Sequence, residues 1–305
     1  MSTFVEKELI CEKAFNEYGP FWHLYTDGTK MENVFCSNED MIRVMTAVAV
    51  EKTMSDDVMI ITFEIMKNHL HFIIAGESDA CLDFFARLKR RIMRMFASTD
   101  KVIDWSNFQT SILPIDNLKS LRNEIVYVNR NAFVANPDYT PYSYPWGGGC
   151  AYFNELMQLL PVCSLAKMSI SKQRELARCR DVSRLGCLSF VGNIPYIPSF
   201  CRIDIGEKMF RDAQTYFYSL TRNAEAFSQI AVRLKDVVFL TDDELFSVAV
   251  KCAEAKFSES KLTLLRPEQR IQLAKELHFK YNASNQQLRR LLKLDVKILS
   301  ELFPE

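Results

Sequence analysis

A pair of histidines two residues apart is the strongest sign of chemistry in this sequence. His69 and His71 lie in the stretch NHLHFIIAG, which with the preceding VMIITFEI predicts a β-hairpin turning near Lys67 and Asn68. Because alternate side chains of a strand share a face, both imidazoles are expected on one side of the sheet. Two neighbouring neutral imidazoles can chelate a divalent ion. The alternative is that one histidine is buried and hydrogen-bonded while the other is only solvated.

A tyrosine on a later helix is a candidate reactive partner for such a metal site. A helix is predicted from Asp116 or Asn117 to about Ala132, with Tyr127 and Asn131 together at the flank of its apolar stripe. The stripe consists of Leu118, Leu121, Ile125, Val128 and Ala132. A tyrosine at such a flank can simply pack with its hydroxyl in water. Beside a histidine-bound metal, its phenolate could instead attack a phosphodiester.

Several segments of the chain resemble one nuclease family. The string MKNHLHFIIAG resembles the histidine signature of the REP-associated tyrosine transposases, which belong to the HUH nuclease superfamily. In the same order as in that family, FWHLYTDG is similar to the first strand, VFCSNED to the start of the first helix, YVNRN to the tyrosine motif, and DYTPYSYPW to the segment after it. The resemblance covers residues 21 to about 146. The ordered combination is more specific than any single motif.

The resemblance implies a metal-dependent nuclease and strand transferase. It assigns His69 and His71 as ligands of Mg²⁺ or Mn²⁺, Tyr127 as the nucleophile, and Asn131 as a third ligand or an orienting group. Enzymes of this family cut single-stranded DNA beside a hairpin. They leave a 5′-phosphotyrosyl link and a free 3′-hydroxyl that can reverse the reaction.

The sequence departs from the family pattern at three places. Lys67 and Ala132 replace prolines, and Thr26 and Asp27 stand where a basic residue is expected after the first strand. The last change removes a phosphate contact. An alternative function is therefore a catalytically silent DNA-binding regulator derived from such a transposase. A two-histidine phosphoesterase of RNA ends is disfavoured, because the sequence has no second His-x-Thr/Ser element.

DNA contacts are expected from local basic clusters, because 38 basic and 38 acidic residues give a net charge of zero. The strongest cluster is RLKRRIMRMF. Such a run is usually a solvated helix face, but on a helix bordering the site it would track a DNA backbone. The residues predicted to contact DNA are Arg87, Lys89, Arg90, Arg91 and Arg94, with Arg289 and Arg290 near the C-terminus. A second cluster with less support consists of Lys172, Arg174, Arg178, Arg180 and Arg184.

The elements that would position these residues follow the order β, α, β, β, α, β, α. This order resembles the split βαβ, ferredoxin-like arrangement, in which helices cover one face of an antiparallel sheet. We therefore expect an α+β fold, with an HUH nuclease domain over residues 1–150 that closes at a flexible joint, Gly147 to Gly149. A mostly helical region over 151–262 and a helix-turn-helix-like module over 263–305 are expected to follow. Because its last helix has few base-reading side chains, that module is expected to bind another protein or a second copy of itself, with Arg289 and Arg290 as its better phosphate contacts.

Composition excludes several classes of protein. The chain has 305 residues, 48% hydrophobic and 25% charged, which is typical of packed globular domains. Its nine cysteines include no Cys-x-x-Cys pair, which argues against a disulfide framework and a zinc ribbon and fits a reducing compartment. No run approaches the roughly 18 apolar residues of a membrane span. These features predict a cytoplasmic protein. The family resemblance implies single-stranded or hairpin DNA as its partner, and a homodimer is a candidate assembly.

Overall fold

The computed structural model is α+β, as the sequence predicted. It describes residues 4–135, 139–140, 142–222, 224–234, 236 and 240–303. The contacts of the chain divide it into two compact units, Met1–Phe217 and Tyr218–Glu305. This division differs from the expected boundaries after residues 150 and 262.

The first unit contains the longer strands and a second, smaller sheet. Its helices are α1 (Phe4–Tyr18), α2 (Asn38–Thr53), α3 (Ser78–Phe96), α4 (Leu118–Ala135), α5 (Ile170–Ala177) and α6 (Ile203–Lys208), and α7 (Ala213–Arg222) begins in it. Its strands are β1 (Phe21–Thr26), β2 (Met59–Ile65), β3 (Leu70–Ala75), β4 (Thr110–Ile115), β5 (Cys163–Ser164), β6 (Ser189–Val191) and β7 (Ile194–Pro195). The small sheet of β5 to β7 was not expected in a region predicted to be mostly helical.

The larger sheet brings the candidate residues of three strands together. Its order is β2-β3-β1-β4, and every neighbouring pair is antiparallel. The predicted hairpin is present as β2 and β3, although His69 lies one residue before β3 begins. His71 of β3 lies between Tyr25 of β1 and Glu64 of β2 in the register. These three side chains therefore point to the same face of the sheet.

Helices cover both faces of this sheet, and not only one face as expected. Consecutive residues of a strand point to opposite sides, so Phe72 and His71 mark the two faces. The ring of Phe72 contacts Phe84 of α3 edge-on, with centroids 5.9 Å apart. On the other face, Glu124 of α4 has a carboxylate oxygen 2.8 Å from Nδ1 of His23. Helix α3 and helix α4 thus lie on opposite sides of the sheet.

Helix α4 forms where the apolar spacing predicts a helix. It begins directly after Asn117, whose side-chain oxygen accepts a hydrogen bond from a backbone N–H of the first turn at 2.8 Å. It continues to Ala135, beyond the predicted end at Ala132. The predicted stripe is confirmed where it is described, since Leu121, Ile125 and Val128 are fully buried.

The chain after residue 149 packs onto the same sheet. The predicted joint, Gly147 to Gly149, does not separate it from the sheet. The hydroxyl of Tyr152 donates a hydrogen bond to the backbone oxygen of Ile61 at 2.9 Å. Gly148 is buried and lies so close to the side chain of Thr62 that a Cβ at this position would overlap it. The predicted flexible joint is therefore wrong, because these glycines allow the backbone to approach β2 closely.

The second unit is helical. Its helices are α8 (Ala224–Leu234), α9 (Asp242–Phe257), α10 (Pro267–Tyr281), α11 (Asn285–Leu292) and α12 (Val296–Leu302). Capping boxes join Thr241 with Glu244 at the start of α9, and Ser284 with Gln287 at the start of α11. Helix α9 packs against α10 and α11. In the part of the chain that the structure describes, no helix has the length and apolar character needed to cross a membrane.

Candidate functional site

The histidine pair lies together on the sheet face covered by α4. The ring centroids of His69 and His71 are 4.9 Å apart, with the ring planes at 88°. The nitrogens that these two side chains can offer to an ion lie within 4.8 Å of one another. His69 is 8% exposed and His71 is fully buried. The expectation that both imidazoles share one face is therefore confirmed.

The loop before β3 fixes the orientation of His69. Nδ1 of His69 lies 2.7 Å from the side-chain oxygen of Asn68, so it carries the proton in this hydrogen bond. The amide nitrogen of Asn68 in turn donates to the backbone oxygens of Gly28 at 2.7 Å and Met31 at 2.9 Å. Nε2 is then the nitrogen of His69 that can bind an ion.

Gly28 makes room for the imidazole of His69. A Cβ at this glycine would lie 2.5 Å from Nδ1 of His69, well inside van der Waals contact. The short 3-10 helix Gly28–Lys30 therefore passes directly against the ring. Any side chain at this position would push the imidazole out of place.

A second buried chain of hydrogen bonds orients His71. Nδ1 of His23 lies 2.8 Å from a carboxylate oxygen of Glu124, and Nε2 of His23 lies 3.0 Å from Nδ1 of His71. A carboxylate can only accept, so Nδ1 of a neutral His23 carries the proton and its Nε2 accepts from Nδ1 of His71. This tautomer leaves Nε2 of His71 as the ion-binding nitrogen, as in carboxylate–histidine–metal arrangements.

Tyr127 lies over these imidazoles. Its ring centroid is 6.0 Å from that of His71 and 6.3 Å from that of His23, both in edge-on geometry. The ring of Tyr25 stacks with that of His71, with centroids 6.3 Å and ring planes 14° apart. Tyr127 itself is 2% exposed. The predicted nucleophile and the predicted metal ligands therefore share one buried cluster.

Asn131 lies one helical turn beyond Tyr127 on the same face of α4 and is 5% exposed. Within the described residues, no hydrogen bond joins it to His69 or His71. Asn129, which was not singled out, donates instead to the hydroxyl of Tyr216 at 3.0 Å. Asn131 is thus placed near the cluster by helical geometry, without a hydrogen bond to either histidine among the described residues.

The histidine pair offers two nitrogen ligands to a divalent ion. Two imidazoles with fixed tautomers are nitrogen ligands, whereas Mg²⁺ prefers an octahedron of oxygens and keeps several waters. The identity of the ion, Mg²⁺ or Mn²⁺, and the role of Asn131 as a third ligand stay predictions from the sequence.

The basic run of α3 does not border this cluster, because α3 covers the opposite face of the sheet. Arg91 is mostly buried, with Nε 2.5 Å from a carboxylate oxygen of Glu51. Arg87 donates to the hydroxyl of Ser55 at 2.8 Å. Lys89 is partly buried, while Arg90 and Arg94 are exposed. Arg91 is therefore part of a buried ion pair, and the expectation that this helix lines the candidate site is wrong.

The two basic residues predicted near the C-terminus differ in their surroundings. Arg290 forms a bidentate ion pair with Asp242 at 2.7 and 2.9 Å. The hydrogen bond from Arg290 holds the pKa of the Asp242 carboxyl below its ordinary value. Arg289 is exposed. Of the pair, Arg289 is the better placed to contact a phosphate.

His23 and Glu124 are the members of the cluster that sequence reasoning did not assign to the site. Alternate residues of a strand share a face, so His23 lies on the same face of FWHLYT as Tyr25. Glu124 precedes Tyr127 by three residues on α4, which places both on one side of that helix. These spacings are signals, but neither indicates which strand pairs with β1. Only the register of β1 with β3 puts His23 beside His71.

Comparison of this chain with protein-family models, with curated proteins and with solved structures finds no match.

Proposed function

We propose that this protein is a metal-dependent endonuclease and strand transferase for single-stranded DNA, of the single-tyrosine HUH class. Tyr127 is the nucleophile, and His69 and His71 are the metal ligands. The observation that carries the proposal is the position of Tyr127, whose ring lies 6.0 Å from that of His71 on one sheet face. The ordered resemblance of residues 21 to about 146 to the REP-associated tyrosine transposases supports the same function.

The topology of the larger sheet supports the HUH assignment. The element order β-α-β-β-α-β and the antiparallel strand order β2-β3-β1-β4 are those that a ferredoxin-like arrangement would have. Strand β3, which carries His71 and begins directly after His69, is a central strand of this sheet. The helix that follows the last strand carries the tyrosine and lies across the face of that central strand.

Each residue of the cluster has its own role in the proposed phosphoryl transfer. The oxygen of Tyr127 forms a bond to the scissile phosphorus while the bond to the 3′ oxygen breaks, giving a 5′-phosphotyrosyl link and a free 3′-hydroxyl. A metal bound by the two histidines would polarise the scissile phosphate. Asn68 holds His69 and the His23–Glu124 pair holds His71, so both ligand nitrogens are oriented before substrate binds.

A catalytically silent DNA-binding regulator is the second candidate function. The observation that favours it is burial, because Tyr127 is 2% exposed and His71 is fully buried. A nucleophile must reach the scissile phosphate, so an active enzyme needs the cover of this cluster to open when DNA binds. The regulator needs no such opening.

Trapping of a covalent adduct tests the proposal. Wild-type protein is incubated with a library of single-stranded hairpin oligonucleotides and Mn²⁺, and denaturing gels detect a protein–DNA adduct. Tyr127→Phe removes only the hydroxyl, so it should abolish both adduct and cleavage while DNA binding persists. Mass spectrometry of the adduct peptide distinguishes Tyr127 from Tyr25, the other tyrosine of the cluster. Binding without any adduct in wild type would support the regulator, and cutting by Tyr127→Phe would exclude Tyr127 as nucleophile.

A further inference from the structure

The two basic clusters seen in the sequence converge on one cleft of the first unit. A cavity of about 460 Å³ is lined by residues of α3 and of the loop after α5. Its lining residues include Arg91, Arg94, Arg178, Arg180 and Asp181. These come from two stretches of sequence more than eighty residues apart. The cleft lies on the α3 side of the sheet, away from the Tyr127 cluster.

The cleft continues along α3 as a groove. A second cavity of about 640 Å³ shares Arg91 and Arg94 with the first and adds Arg87 and Arg90. Arginines thus follow the length of an open channel instead of surrounding a single point. This shape suits an extended ligand with repeated negative charge better than a small anion.

Two arginines of the cleft carry positive charge that the described chain does not neutralise. Arg178 pairs with Glu39, and Arg91 with Glu51. Among the described residues, Arg94 and Arg180 have no acidic partner. Asp181 does not fill this role, because its carboxylate accepts hydrogen bonds from the backbone N–H and the hydroxyl of Ser183 at 3.0 and 2.7 Å.

The loop that carries Arg180 is held in place by its own neighbours. Nε of Arg174, another residue of the second basic cluster, donates to the backbone oxygen of Arg180 at 2.9 Å. The pairing of Arg178 with Glu39 ties the same loop to α2. These two contacts fix the loop that carries Arg180. Less conformational entropy is therefore lost when its guanidinium binds an anion.

The chemistry of the lining favours double-stranded over single-stranded nucleic acid. Proteins that bind single strands stack the bases on aromatic side chains. Among the residues that the structure describes, no aromatic side chain lines either cavity; the other lining side chains are methionine, serine, cysteine and acidic residues. Guanidinium groups alone contact phosphates and read no base sequence.

We infer that this cleft binds the phosphate backbone of duplex DNA, without sequence preference, at a site separate from the Tyr127 cluster. The inference concerns binding only and does not depend on cleavage by Tyr127. Arg94 and Arg180 are its central contacts. A duplex held there would lie on the side of the sheet opposite to α4 and the Tyr127 cluster.

The salt dependence of binding tests this inference. Full-length wild type and Arg94→Ala/Arg180→Ala are titrated with a blunt DNA duplex that lacks a hairpin, between about 50 and about 200 mM salt. Each lost phosphate contact reduces the slope of log K against log salt by about 0.9, so the double variant should show a slope shallower by about 2 and weaker binding. Lys13→Ala/Lys119→Ala is the matched control, since both lysines are exposed and lie outside the cleft. It should keep the wild-type slope.

Three results would overturn the inference. The first is an unchanged slope and affinity in Arg94→Ala/Arg180→Ala, provided that its thermal melt matches wild type. The second is absence of duplex binding by wild type at the lowest salt. The third is loss of affinity by the double variant for a single strand or an RNA duplex but not for duplex DNA. None of these results depends on adduct formation, so failure here and failure of the proposed nuclease function are distinguishable.

Discussion

Nε2 of His23 lies 3.0 Å from Nδ1 of His71, in the buried layer between the sheet and α4. The contact joins a histidine without an assigned role to a predicted metal ligand. The carboxylate of Glu124 can only accept a hydrogen bond, so Nδ1 of a neutral His23 carries the proton. Nε2 of His23 then accepts a hydrogen bond from Nδ1 of His71. His23 and Glu124 therefore determine which nitrogen of His71 is left to bind an ion.

Removal of Glu124 should weaken metal binding. We expect Glu124→Ala to lower Mn²⁺ affinity about 10- to 100-fold, because the tautomer and orientation of His71 are no longer fixed. Glu124→Gln should lose less, since its amide oxygen can still accept from His23. Isothermal titration calorimetry measures both affinities. A folded Glu124→Ala protein with wild-type Mn²⁺ affinity would contradict this role.

Gly28→Ala should disturb His69 without touching the rest of the cluster. The added Cβ would lie 2.5 Å from Nδ1 of His69, so the ring must move away from its hydrogen bond with Asn68. Mn²⁺ affinity should fall about tenfold or more. Gly186→Ala is the matched control, because its Cβ would meet only the Ala166 side chain, at 3.8 Å. Equal affinities of the two variants would show that His69 is not a ligand.

Truncation of Arg91 should destabilise the fold much more than truncation of Arg94, although both lie in one basic run. Arg91→Ala removes the 2.5 Å partner of buried Glu51 and leaves it with Arg87, 3.9 Å away, so it should cost about 2 kcal/mol of unfolding free energy. Arg94→Ala should change it by less than about 0.5 kcal/mol. Urea unfolding followed by tryptophan fluorescence measures this, since Trp22, Trp105 and Trp146 all lie in the first unit. Similar losses in both variants would contradict the buried ion pair.

The ion pair between α1 and α4 should make stability depend on acid. The hydrogen bond from Arg122 to Glu8, 2.6 Å long, lowers the pKa of Glu8 below its ordinary 4.5. Because the folded pKa is depressed, the stabilisation is present above pH 4.5 and is lost as the pH falls through the folded value. Its size should be about 1 kcal/mol or less, since the pair is partly exposed.

Glu8→Gln checks this pH dependence. Its deficit in unfolding free energy relative to wild type should be constant at neutral pH and should shrink on acidification below pH 4.5. Glu12→Gln on the exposed side of α1 should follow wild type throughout. A Glu8→Gln deficit that grows in acid would have the wrong sign for this pair.

The C-terminal module should need α9 to fold. The buried side chains of α9 include Leu245, Ala249 and Ala253, and Lys256 pairs with Glu276 of α10 at 2.7 Å. A fragment of residues 218–305 should therefore be helical and melt cooperatively by circular dichroism. A fragment of residues 263–305 should lose most of its helicity, because its apolar stripes have no partner. A cooperative melt of the shorter fragment would support the boundary expected from sequence.

The sequence by itself determined the features that depend on local periodicity. The His-x-His spacing places two imidazoles on one face, and the stripe that includes Leu121 and Ile125 predicts α4 with Tyr127 at its flank. Capping boxes such as Thr241 with Glu244 mark helix starts. Each of these patterns acts within a few residues, so spacing alone is sufficient to read it.

Tertiary structure decided everything that depends on which segments meet. The register of β1 with β3 brings His23 to His71, and packing of α3 on α2 turns Arg91 from an expected DNA contact into the partner of Glu51. The burial of Gly148 against Thr62 keeps the chain on the sheet past the expected boundary. These contacts join residues far apart in sequence. Their energies come from burial and hydrogen bonding between separate elements, which no local pattern records.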